Sequence, residues 1–302
     1  MNTISAFTTA ASYLSVARPN ANSGADKRLP TPEENLQIVF SEVVERSGRS
    51  GFSSVESVSP RGSLEQDVAS AWEHWFDQVG THRYHFEAGE GSPSVRDDKT
   101  SVDLKQDFKE ILVEAYQNEA YADPRDYLRT LSMDDLRAIQ QVHSLADPID
   151  VSKLSDEGAM NLLLPPDAQL DADKDGLTRV GVVNSIRFPD SNTPKAVREA
   201  WELATANLSE RDRGILTLQM FSAVSNANMK FDTQGNWIGS SEPGDADWRN
   251  PMNSTSFSYL DFVGRKMENI ERFKGYMMVD DYQQQMSFWN TFQEELFRRQ
   301  VR

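Results

Sequence analysis

The sequence predicts a mainly α protein: an irregular multi-helix bundle with a short β-hairpin or extended segments and a flexible N-terminal tail. Three observations predict it. Apolar residues recur three and four positions apart in one segment after another, which places them on one face of a helix. Capping residues stand just before several of those segments. Strand and helix patterns do not alternate as a doubly wound sheet requires, and no repeat at solenoid periods is present. The 302 residues suit one large domain or two small ones, because single cores rarely grow past about 250–300 residues.

Taken in order, residues 1–30 are rich in Ser, Thr, Ala and Asn. They bury too little to offset the entropy of ordering and are expected to form a flexible tail. Ile4, Phe7, Ala11 and Leu14 still fall at helical spacing, so the tail could fold onto a partner or onto the body. Residues 31–100 are expected as a loosely attached helical region with linkers, and 101–302 as the main helical domain. Thr31-Pro32-Glu33-Glu34 starts the first helix: Thr caps, Pro fits the first helical position and Glu34 completes a capping box. Leu36, Val39, Phe40 and Val43 form its stripe, and residues 47–63 read as a Ser/Gly/Arg-rich linker. A second stripe runs through Leu64, Val68, Ala71, Trp72, Trp75, Phe76 and Val79, followed by a polar link over 88–101. The aromatic segment Trp72 to Phe76 either docks within the chain, the favoured reading, or anchors a partner.

Leu104, Phe108, Ile111, Leu112 and Ala115 mark the next helix, which Asp123-Pro124 breaks. After a short helix around 125–130, Ser132 caps a helix with Asp135 at its third position and Leu136, Ile139, Val142 and His143 on its stripe. Residues 152–164 read as one more helix, ended by Pro165-Pro166. The acidic loop 167–176 follows, and 177–188 has no helical stripe and reads as extended. Helices are expected from Thr193-Pro194 and from the cap Ser209, then a hairpin over 229–240 with Gly235-Asn236 near its turn. A polar loop at 241–256 leads to two closing helices; the second ends in Arg298, Arg299 and Arg302, which suits the negative end of a helix dipole.

Lys and Arg total 31 against 47 Asp and Glu, a net charge of −16. Such a surface repels phosphate, so neither nucleic acid nor an anionic membrane is an expected partner. The field would favour cations or basic partners, or simply solubility. No cysteine is present, which removes disulfides, thiolate nucleophiles and Cys-type zinc sites. No stretch approaches the ~20 apolar residues of a membrane helix. The first residues lack the early positive charge of a secretory signal. Cytoplasmic residence is therefore the default expectation, with signal-independent export as the other.

One motif carries chemistry. Asp171-Ala172-Asp173-Lys174-Asp175-Gly176 has the form D-x-D-x-D-G. The alternation turns three carboxylates toward one centre when the chain curls, and Gly permits the sharp turn. Calcium takes 6–8 oxygen ligands at about 2.3–2.6 Å, which such a loop begins to supply. These six residues resemble the start of an EF-hand loop. The twelfth position, where an EF-hand has Glu, is Val182; the ninth is Arg179; and Pro165-Pro166 interrupts any entering helix. The loop is also similar to the D-x-D-x-D-G loops of several unrelated extracellular calcium folds, in which other parts of the chain supply the missing ligands. The resemblance implies side-chain ligation by Asp171, Asp173 and Asp175 and a carbonyl ligand at Leu177, with Asp167 or Asp190 as an added carboxylate. The competing reading is an Asp-rich turn that binds nothing.

Other constellations are weaker. His82-x-x-His85 with Glu87 has no second ligand pair at a zinc spacing. His143 lies on an apolar stripe and reads as a hydrogen-bonded core histidine rather than a general base. Asp245, Asp247 and Trp248 could line a ligand pocket, but a loop pinned by its Trp is the favoured reading. No Walker loop, Rossmann fingerprint, G-x-S-x-G or H-E-x-x-H occurs. The expectation is a soluble, non-enzymatic, calcium-stabilised helical protein acting through protein contacts made by its N-terminal helices and tail. The rivals are a hydrolase with an acidic, metal-assisted pocket and an exported or appendage-associated protein.

Overall fold

The computed structural model describes residues 29–55, 63–84 and 101–301. The expected tail, apart from its last two residues, the greater part of the 88–101 link, and His85 with Glu87 lie outside the described residues. Among the described residues the protein is mainly α, with two short antiparallel hairpins.

Helix α1 (Pro32–Arg46) begins with the expected capping box: Thr31 Oγ1 accepts from Glu34 N at 3.2 Å, and Thr31 N donates to Glu34 Oε2 at 2.8 Å. Helix α2 (Leu64–Trp75) runs through a π-helical turn at Phe76–Gly80 into the short α3 (Thr81–Arg83). Its aromatic stripe docks intramolecularly. Trp72 and Trp75 are fully buried, stacked at 5.3 Å, and Trp72 meets Phe108 of α4 (Ser101–Gln117) edge-on at 4.9 Å. Helices α5 (Pro124–Leu128), α6 (Met133–Val142) and α7 (Asp156–Leu162) follow. Ser132 and Asp135 cap α6 reciprocally, as their spacing predicts.

The expected helix over 152–164 is divided. A 3-10 turn at Val151–Lys153 precedes Leu154, and α7 starts anew after the cap Ser155, whose Oγ accepts from Gly158 N at 3.0 Å. The extended segment is a hairpin, β1 (Thr178–Val180) against β2 (Val183–Ser185). Helices α8 (Lys195–Thr205) and α9 (Glu210–Ala227) lead to the expected second hairpin, β3 (Met229–Phe231) against β4 (Trp237–Ser240). Ser209 caps α9, accepting from Asp212 N at 3.2 Å. Helices α10 (Tyr259–Phe273) and α11 (Val279–Arg298) close the chain.

Two apolar clusters organise these elements. The first joins α1, α2, α4, α6 and α7 and extends to Val180. The helices of residues 31–84, expected to be loosely attached, thus share one core with residues 104–180. Part of the expected 47–63 linker is also tied down. Phe52 is buried, its amide donates to Ser41 Oγ at 2.9 Å, and Arg49 donates to the Tyr121 carbonyl at 2.6 Å and to Asp156 Oδ1 at 3.0 Å. The second cluster joins α8, α9, α10 and α11 around Trp201, which meets Phe188, Phe288 and Phe292 edge-on at 4.8, 5.4 and 5.6 Å.

Candidate metal centre

The acidic loop lies at the seam between the two cores. Toward the first, Asn161 of α7 accepts from Leu170 N at 2.8 Å and donates to the Leu170 carbonyl at 2.7 Å, fixing the loop's start. Toward the second, the 241–256 loop folds over the acidic loop's far side. Trp248 Nε1 donates to the Asp175 carbonyl at 2.9 Å, and Asn253 Nδ2 to the Lys174 carbonyl at 2.7 Å. The polar loop is thus pinned by its Trp. Asp247 pairs with Lys230 at 2.9 Å, and Asp245 accepts from Glu242 N at 2.8 Å. Gly176 sits at φ +91, where an L side chain is strained, and a Cβ there would meet Asn250 Nδ2 at 2.9 Å.

Within the loop, Asp171 is buried. Its Oδ1 accepts from Asp175 N and its Oδ2 from Gly176 N, both at 3.0 Å. Its own amide donates to Ser191 Oγ at 3.0 Å, and its carbonyl accepts from Asn192 Nδ2 at 2.7 Å. Asp173 is exposed and accepts from Asp175 N at 3.1 Å, and Asp175 Oδ1 accepts from Leu177 N at 2.7 Å.

The residue that sequence reasoning missed is Glu157. It stands in the first turn of α7, where an acid ordinarily complements the helix dipole. Here it is buried beneath the loop. Oε2 accepts from Ala172 N at 2.9 Å and Asp173 N at 3.2 Å, and Oε1 accepts from Arg179 N at 2.7 Å. Gly158 makes this approach feasible: its carbonyl accepts from Gly181 N at 3.0 Å, and a Cβ on it would lie 2.1 Å from the Gly181 oxygen. Ligand oxygens of Glu157, Asp171 and Asp173 lie within 4.8 Å of one another.

Asp175 and Leu177 fall outside that trio. Asp175 stands beside it on the same loop, and Leu177 leads from the loop into β1 with its side chain buried. Asp190 is buried, and its charge acts on Asp171, but its Oδ1 is engaged by Thr193 Oγ1 at 2.7 Å and Asn192 N at 3.0 Å. Asp167 is drawn elsewhere, accepting from the Trp75 indole at 2.8 Å and facing Arg83 at 3.9 Å.

The electrostatics follow from this crowding. Burial, and then the charge of Asp190, push the Asp171 carboxyl up to about 8, although the Gly176 amide opposes the shift. Burial, reinforced by Asp173, pushes Glu157 up to about 7 against the pull of its amide donors. Burial also raises Asp175. Amide donors aimed at both oxygens of a carboxylate are an arrangement for an ionised acid, whereas burial among like charges disfavours that form. A cation between the groups would reconcile the two. Oxygens that share one calcium ion stand within about twice the metal–oxygen bond, or about 5 Å, and the trio meets that distance.

His143 is a hydrogen-bonded core residue. Gln169 Nε2 donates to its Nδ1 at 2.9 Å, leaving its Nε2–H to donate to the Leu162 carbonyl at 3.0 Å, and burial pushes its pKa down to about 3. No helix among the described residues is long and apolar enough to cross a membrane. The chain matches no family model, no curated protein and no solved structure.

Proposed function

We propose that the acidic loop binds a divalent cation, calcium by ligand chemistry, and that the ion clamps two helical cores in a non-enzymatic protein acting through protein contacts. The observation that carries this reading is the convergence of Glu157, Asp171 and Asp173 within 4.8 Å, two of them buried, at the seam between the cores. An all-oxygen, carboxylate-rich set suits calcium; magnesium keeps more water and takes fewer carboxylates. Asp175 and the Leu177 carbonyl are the remaining loop ligands in this proposal, and Glu157 takes the part that the closing Glu plays in an EF-hand loop. The clamp is mechanical: the loop is bonded to α7 on one side and to the 241–256 loop on the other. Thermal melting in millimolar calcium and then in chelator tests it. A ligand at a hundred times its dissociation constant adds about 2.7 kcal/mol, which raises the midpoint by roughly 5 °C or more. An unchanged midpoint removes the cation.

A further inference from the structure

The clamp leaves the β3–β4 hairpin unexplained. On the β3–β4 hairpin, Met229, Phe231, Trp237 and Ile238 are 40, 55, 63 and 64 % exposed. Single exposed apolar residues are ordinary, but four large ones on one hairpin form a patch of the kind that marks an interaction site. Phe231 pairs opposite Trp237, and the register shifts between Lys230 and Phe231. Among the described residues the sheet has two strands, so each strand carries an edge that no described strand pairs.

An isolated two-stranded hairpin is marginal in water, yet the base of this one is fixed. Asn228 Nδ2 donates to the Arg249 carbonyl at 2.8 Å, Arg249 N returns a bond to Asn228 Oδ1 at 2.9 Å, and Ser241 N donates to the Asn228 carbonyl at 2.9 Å. The patch is therefore held ready by the body of the protein. Its neighbours in sequence are acidic: with Asp247 paired to Lys230 at 2.9 Å, Asp232 at the turn and Glu242 and Asp245 just after β4 stand against Arg249. The net charge of −16 adds a field of the same sign.

We propose that the β3–β4 hairpin is the docking surface for an extended segment of a partner protein that sets Lys or Arg beside large apolar side chains. The segment adds along a free strand edge, its apolar side chains cover Phe231 and Trp237, and its basic side chains meet the acidic border. This rests on the reading of the protein as one that acts through protein contacts, and not on the cation.

Fluorescence anisotropy at physiological ionic strength tests it, with short synthetic peptides that alternate lysine with leucine or glutamate with leucine. The lysine peptide should bind the full chain and the glutamate peptide should not. The paired substitution Phe231→Ser with Trp237→Ser, at exposed positions, should weaken binding at least about tenfold with an unchanged melting midpoint. A control pair, Phe273→Ser with Tyr276→Ser, at the exposed elbow between α10 and α11, should change it less than about twofold. The proposal is overturned if the lysine peptide fails to bind, if both peptides bind alike, or if the hairpin variant binds like the parent. It is equally overturned if sedimentation shows a dimer that the hairpin substitutions dissolve, because the occupant is then a second copy. Running the melts in parallel separates the two readings. Hairpin-dependent binding with a calcium-insensitive midpoint removes the cation and keeps the surface; the converse keeps the cation and removes the surface.

Discussion

Two Asp-led turns in this chain use the same backbone chemistry and reach opposite electrostatic states. In the β3–β4 turn, Asp232 accepts from Gln234 N at 2.9 Å and Asn236 N at 2.8 Å, with Asn236 Nδ2 adding a third bond at 2.9 Å. It is only half-buried, and those donors hold its carboxyl below the usual range. Asp171 also accepts two forward amides, yet its carboxyl is pushed up to about 8. The difference is burial and company, because Asp171 is buried beside Asp190 and Glu157. Amide bonds alone thus describe a well-made turn. A candidate cation site needs those bonds together with like charges that water does not screen.

The largest expected effect breaks the comparison at its centre. In calcium, Asp171→Ala leaves the buried amide of Gly176 without its acceptor and Asp175 N with Asp173 Oδ1 alone, removes a proposed ligand, and should cost about 3 kcal/mol in urea unfolding. Asp232→Ala, whose partners can turn to water, should move the urea midpoint by only a small fraction of that shift. Equal effects would mean that the seam adds nothing to the turn.

The second effect is a pH slope. Asp171 and Glu157 have folded pKa values above those of free carboxyls, so below about pH 4 both states hold the protons and folding incurs no penalty. As pH rises toward 8 the unfolded chain releases protons that the folded chain keeps, and stability falls. In chelator the loss should be on the order of 2 kcal/mol, softened by water penetration; saturating calcium should flatten it. Urea midpoints at several pH values, with and without calcium, measure both limbs, and a slope that ignores calcium would separate the ion from these carboxyls.

The third effect concerns backbone approach. Gly158→Ala forces a Cβ toward the Gly181 oxygen, lifts Glu157 from beneath the loop, and should cost about 2 kcal/mol along with calcium affinity. Gly235→Ala, at φ +85 with open space around it, should cost about 1 kcal/mol of strain and leave calcium affinity alone. Calorimetric titration of the two variants distinguishes them.

The same contrast shows what was legible in the sequence. Capping boxes at Thr31 and Ser132, the cap at Ser209, the aromatic stripe of α2 and the hairpin over 229–240 are local patterns, and the structure carries each of them. The core role of His143 and the pinning by Trp248 were also readable, from an apolar stripe and from an aromatic in a polar loop. The curl of the acidic loop follows from its own residues. Its completion does not. Glu157 reaches the loop only because α7 restarts at Ser155 and packs through Gly158 onto the β1–β2 turn, a contact across more than one element. Asp167, near in sequence, is taken by Trp75 from another helix. The shared core of α1, α2 and α4 is likewise tertiary, since Ser/Gly-rich connections look alike whether or not the helices they join are packed together.

The central claim is that the crowded carboxylates are arranged for a cation, and Asp171→Asn tests it most directly. The substitution removes one charge and keeps one oxygen to accept an amide. Melting at pH 8 should show calcium raising the parent's midpoint and not the variant's, while in chelator the variant melts at or above the parent. Identical midpoints for the parent in calcium and chelator, or an equal calcium shift in the variant, would contradict the account.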